Sequence, residues 1–228
     1  MTMIVAVHQP QYMPWLGYFD KMDRADAFVL LDTVQFKKNE WQNRNKIKTS
    51  DGWQWLTVPV RYRFPQKIFE VAIDSKVPWQ RKHRQALRTH YTKAPYFNQT
   101  MEVLEPILSE PWEKIAPLNI KVVKELASAL GITTQIHIAS EMGKFPENPH
   151  ERLVAITKHL GGDVYLAGSG SQAYVEIDYF KNAGIELIFQ DYNHPQYPQL
   201  FGLFEYFMSV IDLMFNCGPD SLSIIRRK

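Results

Sequence analysis

The sequence predicts an α/β fold: a doubly wound, mainly parallel sheet that carries a β-hairpin and a helical insertion. Three patterns predict it. Short continuous apolar runs are typical of buried parallel strands. In the C-terminal half such runs alternate with helical patterns, and Asp51-Gly52 lies between two segments of alternating polarity, which indicates a hairpin. We expect one domain over residues 1–228, with 37–130 as a basic hairpin-plus-helical insertion.

The N-terminal elements follow the order strand, helix, strand. The apolar run 3–7 predicts a buried strand, and Pro14 and Gly17 mark the entry to a helix over 16–22. A second apolar run, 27–31, predicts the next parallel strand. These segments therefore form a βαβ unit.

The middle of the chain differs in pattern. Segments 45–49 and 53–58 flank Ser50-Asp51-Gly52 as hairpin strands, and 69–73 predicts a further edge strand. Helical patterns then cover 78–91, 95–108 and 117–130, with Gly131 at the end of the last.

The C-terminal half alternates between strands and helices. Asn148-Pro149-His150-Glu151 has the residues of a helix start, namely an N-cap, a proline at the first position and a capping acid. The predicted strands are 135–139, 164–167 and 185–189, and the predicted helices are 148–160, 174–182 and 204–216.

Charge is unevenly distributed along the chain. Residues 37–93 contain 14 Lys and Arg against 4 Asp and Glu, although the net charge of the whole chain is +2. A basic segment in an otherwise acidic chain indicates an anionic ligand, such as a nucleotide, a phosphorylated carrier or RNA. For any one of these charges, a solvated surface position is the alternative.

Several classes of protein are disfavoured. Cys217 is the single cysteine, so neither an intrachain disulfide nor a multi-cysteine zinc site is expected. No secretory signal or membrane span is expected, and we predict a cytoplasmic protein without a cofactor or metal. Nucleic acid is a disfavoured partner, because the remainder of the chain is acidic and no recognised RNA-binding motif is present.

Polar residues follow the predicted strands, where ligands bind in open parallel sheets. His8 is the candidate general base, with pinning to the backbone as its alternative role. Asp32 could orient His8, bind a metal or accept a hydroxyl proton, and its alternative role is to cap the turn that follows it. Around these two we predict a substrate-binding set that also includes aromatic residues after His8, amides and a guanidinium in the basic segment, and hydroxyls in the turn after the 164–167 strand: Gln9, Tyr12, Trp15, Tyr18, Lys21, Gln35, Asn43, Arg44, Ser169, Ser171, Asp191, Tyr197 and Gln199.

The spacing of these residues resembles that of the WbqC-like protein family. The resemblance is carried by His8-Gln9-Pro10, Trp15, Gly17-Tyr18 and Lys21, by Asp32-x-Val34-Gln35-Phe36, and by further blocks at Trp41-x-Asn43-Arg44, Ile47-Lys48, Tyr165 to Ser171, Tyr197-Pro198-Gln199 and Ser209 to Asn216. Such proteins are encoded among genes for O-antigen and other surface polysaccharides. The resemblance implies a transferase that adds an acyl or aminoacyl group to an amino sugar.

Three functions compete at this point. The first is an amide-forming transferase that uses an activated acyl donor and a nucleotide-linked amino sugar. The second is a nucleotidyltransferase-like or adenylating enzyme, although aromatic residues stand where such enzymes place paired histidines after the first strand. The third is a non-catalytic module that binds nucleic acid or a glycan precursor.

Overall fold

The computed structural model of the chain describes residues 2–171 and 176–227, without the side chain of Ser171. Its strands are β1 (Ile4–His8), β2 (Ala27–Leu30), β3 (Arg44–Thr49), β4 (Gly52–Thr57), β5 (Val60–Arg61), β6 (Ala72–Ile73), β7 (Gln135–Ile138), β8 (Val164–Ala167) and β9 (Glu186–Phe189). Its α-helices are α1 (Leu16–Asp23), α2 (Trp79–Tyr91), α3 (Phe97–Ser109), α4 (Ile115–Leu130), α5 (Pro149–His159), α6 (Ile177–Asn182), α7 (Val210–Cys217) and α8 (Ser221–Ile225).

The central sheet has five strands in the order β7-β2-β1-β8-β9, and all of its neighbours run parallel. The chain starts in the middle, adds strands on one side and then crosses to the other. This is the doubly wound order, and its topological switch point lies between β1 and β8. The predicted fold class is confirmed.

Helices cover both faces of the sheet. Val5 and Val7 of β1 pack with Val154 and Ile156 of α5 and with α6, whereas the alternate residue Ala6 belongs to the core under α1. That second core continues into α7 and α8 and into the middle helices α2, α3 and α4. The side chains of a strand alternate between the two faces of the sheet. Because these strands are apolar at every position, helices must cover both faces.

The middle region contains the predicted hairpin. β3 pairs antiparallel with β4 from Arg44 opposite Thr57 to Thr49 opposite Gly52. Gly52 has a φ of +109°, a value that favours glycine. The predicted strand at 69–73 is shorter than expected: residues 68–70 form a 3₁₀ turn, and β6 pairs with β5.

The predicted last helix also starts later than expected. Residues 190–208 are irregular, and α7 begins after Ser209, whose hydroxyl accepts a hydrogen bond from the Ile211 N–H. Phe207 has a φ of +59°, which a right-handed helix does not allow. The first residues of the predicted 174–182 helix lie partly outside the described residues, and α6 covers its second half.

Candidate functional site

The two halves of the sheet separate at the switch point. The pairing of β1 with β8 ends at Ala6 and Leu166, while β1 continues beside β2 as far as His8. The carbonyl of Val7 accepts a hydrogen bond from Lys21 Nζ at 2.9 Å instead. Lys21 comes from α1, and its side chain is buried. Within the described residues, no carboxylate lies within ion-pair distance of this ammonium.

His8 lies at the carboxyl end of β1, half-buried beside this lysine. Its Nδ1 is 3.2 Å from the Gln9 carbonyl oxygen, and its ring centroid is 4.7 Å from that of Tyr18. Because only a protonated Nδ1 can donate to that carbonyl, Nε2 is left as a hydrogen-bond acceptor in the neutral ring.

Burial sets the protonation of both groups. It lowers the pKa of Lys21 from 10.5 to about 7. Burial, with a smaller contribution from the Lys21 charge, lowers the pKa of His8 to about 3. At neutral pH, His8 is therefore uncharged, and Lys21 exchanges its proton in the range that suits acid–base catalysis.

A cleft of about 740 Å³ opens at the same edge, where β1 and β2 end and α5 begins. We call it the edge cleft. Its walls carry three cationic side chains and a single carboxylate, that of Glu147. The lining residues are Gln9, Leu31, Thr33, Val34, Gln35, Lys37, Pro65, Lys67, Glu147, Pro149, Arg152 and Leu153. The excess of positive charge in a concave surface suits an anionic ligand.

Helix α5 adds to this character. Its N-terminus reaches the cleft through Pro149, and the Asn148 side chain caps it by accepting from the N–H groups of His150 and Glu151. The predicted N-cap is thus confirmed. The positive end of the helix dipole lies near the three cations.

Amide side chains connect β1 to the cleft wall. Gln9 Oε1 accepts a hydrogen bond of 2.6 Å from Gln42 Nε2, and Gln42 Oε1 accepts from the Lys37 N–H at 2.8 Å. Gln42 is buried, so this connection is fixed. It joins the residue after His8 to one of the cations of the cleft.

Asp32 has a turn-capping role. Its carboxylate accepts hydrogen bonds from Ser140 N at 3.0 Å and Ser140 Oγ at 2.6 Å, and so it holds the turn that follows β7. Within the described residues, the hydrogen bonds of Asp32 and His8 do not connect the two side chains. This geometry gives no support to an orienting role for Asp32, and the turn that it caps follows β7 and not Asp32 itself.

The aromatic residues after His8 pack mainly inside the protein. The Tyr12 hydroxyl is 2.9 Å from His83 Nδ1, and the Tyr18 hydroxyl donates to the Gln9 carbonyl at 3.2 Å. The Trp15 indole covers Gly17 so closely that a Cβ atom there would lie 2.3 Å from the ring. These residues hold the strand end in place.

Two residues of the basic segment also lie away from the edge cleft. Asn43 is buried, where it donates to the Val58 carbonyl and accepts from the Asn39 N–H. The Arg44 guanidinium lies over the Trp55 ring, 4.1 Å from its centroid, on the hairpin. Neither side chain lines the cleft.

Tyr197 and Gln199 belong to a buried cluster that we call the Asp212 network. The Asp212 carboxylate accepts hydrogen bonds from Tyr91, Tyr197 and Gln199 at 2.7–2.8 Å. Lys48 Nζ donates to Gln199 Oε1 and to the carbonyl of Leu203. Burial raises the pKa of Asp212.

The remaining predicted residues follow β8 and β9 in the chain. Ser169 is exposed in the 3₁₀ turn after β8, and Ser171 ends that turn, with its side chain outside the described part. Asp191 is exposed after β9 and offers its carbonyl to Arg24. Within residues 2–171 and 176–227, no group of three His, Cys, Asp or Glu side chains is placed to hold a metal ion.

Only some of the residues that line the edge cleft were predicted from the sequence. Of the predicted set, Gln9 and Gln35 line it, while Lys37, Lys67 and Arg152 were not named as site residues. The first two of these lie in the basic segment, so its charge excess was the available signal. Arg152 lies far along the chain, and its sequence context gave no such signal.

The fold and the cleft define a doubly wound α/β protein with a basic cleft at the carboxyl edge of its sheet. The family model described as "WbqC-like protein family" matches residues 9–224, and the chain belongs to that family. It is similar to the uncharacterized protein Rv1507c of Mycobacterium tuberculosis (strain ATCC 25618 / H37Rv), with 36% identity over 226 residues that cover 97% of each chain. No solved structure matches the chain.

Proposed function

We propose that the chain is an amide-forming transferase that adds an acyl or aminoacyl group to a nucleotide-linked amino sugar for surface-polysaccharide synthesis. The observation that carries this proposal is the edge cleft, whose lining contains three cations and Gln9, the residue that follows His8. Phosphates of the sugar nucleotide would pair with the cations. The amine of the sugar would then lie toward the strand end.

The reaction requires a group that accepts a proton. The amine nitrogen attacks the acyl carbonyl carbon, the new C–N bond forms, and the bond to the leaving group breaks. The amine loses a proton, and the leaving group gains one. Lys21, with its pKa lowered to about 7, is suited to accept that proton. His8 Nε2 offers a neutral acceptor that holds the amine by a hydrogen bond.

A turnover assay tests this function. The chain is incubated with UDP-glucosamine and an acyl thioester, and the acylated product is measured by mass spectrometry. We expect product from the wild type and a loss of at least about a hundredfold for His8→Ala, as for removal of a group that positions the attacking amine. Circular dichroism checks that the variant is folded.

The matched control is His159→Ala, which removes an exposed histidine of α5. It should retain wild-type turnover. Undiminished turnover in His8→Ala would exclude His8 from the reaction. Since the acyl donor is unknown, aminoacyl adenylates and aminoacyl thioesters form further arms of the assay, and absence of product from every donor contradicts the proposal.

The strand order favours an adenylating enzyme as the second candidate. Doubly wound sheets of this order bind nucleotides at the carboxyl edge beside the switch point. Calorimetry with ATP separates the two candidates. Tight ATP binding together with release of pyrophosphate would favour adenylation, whereas binding of UDP-glucosamine without ATP binding would favour transfer to the sugar.

A further inference from the structure

Several large apolar side chains that do not line the edge cleft are exposed. Leu203 is 89% exposed, Phe207 is 50% exposed and Tyr206 is 43% exposed, and all three come from the irregular segment before α7. Trp53 of the hairpin is 42% exposed, and Phe201 is also exposed. We call these five residues the aromatic face. Four of them lie within seven residues of the chain, and exposed apolar surface that is concentrated in this way marks an interaction site more often than scattered apolar residues do.

The two parts of this face are joined. Lys48 and Trp53 are opposite each other on β3 and β4, so their side chains lie on the same side of the hairpin. The Lys48 ammonium reaches the carbonyl of Leu203. The hairpin and the 201–207 segment therefore present one surface.

The segment is held in its exposed conformation. Phe201 and Phe207 have φ values of +64° and +59°, which are strained for bulky residues. Such strain persists where the surroundings fix the backbone. Here the side chains of Lys48 and Gln199 hold the segment, because they form hydrogen bonds with the backbone of Leu203 and Glu205. The apolar side chains are thus presented to solvent by a rigid support.

Cations lie along the hairpin side of the face. Lys46 Nζ is 4.5 Å from the Trp53 ring centroid, and the Arg44 guanidinium is 4.1 Å from that of Trp55. Both belong to the basic segment, whose net charge is +10. Aromatic rings, cations and an exposed aliphatic side chain therefore share one surface.

We propose that the aromatic face docks the protein onto an anionic lipid surface. Leu203 and Phe207 enter the boundary of the acyl chains, Tyr206 and Trp53 lie among the headgroups, and Lys46 and Arg44 pair with headgroup phosphates. Leu203 favours a membrane over RNA or a glycan, because an aliphatic side chain neither stacks on a base nor bonds a sugar. No helix in the described parts of the chain is long and apolar enough to cross a membrane, so the docking is peripheral.

Vesicle flotation with the full chain tests this inference. The probes are vesicles of phosphatidylcholine alone and vesicles in which a quarter of the lipid is phosphatidylglycerol. We expect binding to the anionic vesicles, weakened by salt. Leu203→Asp should lower the affinity at least about tenfold, which corresponds to about 1.4 kcal/mol.

The matched control is Ile177→Asp, which places the same charge at a residue of α6 that is 58% exposed. It should bind vesicles as the wild type does, and both variants should keep the wild-type melting temperature. Binding that is absent, or equal in Leu203→Asp and wild type, overturns the proposal. So does a self-association in sedimentation that Leu203→Asp abolishes without vesicle binding, or a preference for single-stranded RNA over vesicles. The result is independent of turnover, because the aromatic face and the edge cleft share no residue.

Discussion

The Asp212 network and the edge cleft are both sets of polar side chains, and they differ in how those groups are satisfied. In the network, the Asp212 carboxylate accepts three hydrogen bonds, two from buried tyrosines and one from the half-buried Gln199, and Lys48 donates to two acceptors. In the cleft, Lys67 and Arg152 share the exposed carboxylate of Glu147. A buried network whose polar groups are paired stabilises the fold, whereas a concave surface with excess positive charge can bind an anionic ligand.

The largest effect predicted from this comparison is on stability. Asp212→Ala removes the acceptor of two buried hydroxyl groups, those of Tyr91 and Tyr197, whereas the half-buried Gln199 amide keeps the Glu205 carbonyl as an acceptor. Each buried donor left without an acceptor costs about 1–3 kcal/mol, so we expect a loss of about 2–6 kcal/mol in the free energy of unfolding, measured by urea denaturation. The control, Asp191→Ala, removes an exposed carboxylate and should change stability by about 0.5 kcal/mol or less.

A stable Asp212→Ala protein that has lost turnover would reverse the assignment of the network. Its residues would then act on a ligand, and the hydrogen bonds seen here would describe a site without its substrate.

The second prediction contrasts two buried lysines. Lys48 belongs to the network, whereas Lys21 at the sheet edge has only the Val7 carbonyl as its hydrogen-bond partner within the described residues. Replacing a buried charge that has no ion-pair partner by an apolar side chain removes a desolvation cost. Lys21→Met should therefore gain about 2 kcal/mol of stability at pH 7 while losing turnover. Lys48→Met should lose about 1–3 kcal/mol, because the Leu203 carbonyl loses its donor and the buried Asp212 carboxylate loses a nearby positive charge.

The pH dependence of the free energy of unfolding tests the role of Lys21 independently. Burial lowers the pKa of Lys21 in the folded state from 10.5 to about 7, so the unfolded chain binds this proton more tightly. The stability contribution of Lys21 is therefore complete above pH 10.5 and is lost as the pH falls to about 7. Urea titrations across this range should show that slope in the wild type and its reduction in Lys21→Met. An unchanged slope would mean that Lys21 keeps an ordinary pKa.

The sequence was a good guide to the sheet and to its exposed edge. The apolar runs at 3–7, 27–31 and 164–167 form neighbouring parallel strands. They could be predicted because a strand that is buried on both faces is apolar at successive positions. The segment 204–208 was predicted as the start of a helix over 204–216. Instead, a hydrogen bond from Lys48, which is distant in sequence, and hydrogen bonds with Gln199 hold it in an irregular conformation.

The site was less predictable, for a physical reason. Strand-end logic led to Gln9, which lines the cleft, but it could not separate Tyr197 and Gln199 from ligand-binding residues. Whether an amide or a hydroxyl is satisfied internally depends on which distant groups surround it. Arg152 reached the cleft through the crossover helix α5, a placement that follows from the topology and not from local sequence.

The smallest predicted change in stability is for a substitution in the edge cleft. Lys67→Gln removes a cation whose ion pair with Glu147 is exposed, with 3.1 Å between Nζ and Oε1. Exposed pairs contribute about 0–1 kcal/mol, so the free energy of unfolding should change by about 0.5 kcal/mol or less. Affinity for UDP-glucosamine, measured by calorimetry, should nevertheless fall about tenfold, because a charge-assisted hydrogen bond to phosphate is lost. Lys158→Gln, an exposed lysine on α5 outside the cleft lining, is the control and should leave the affinity unchanged. Equal affinities in Lys67→Gln and wild type would mean that the phosphates bind elsewhere. The comparison of the Asp212 network with the edge cleft would then not identify the ligand-binding site.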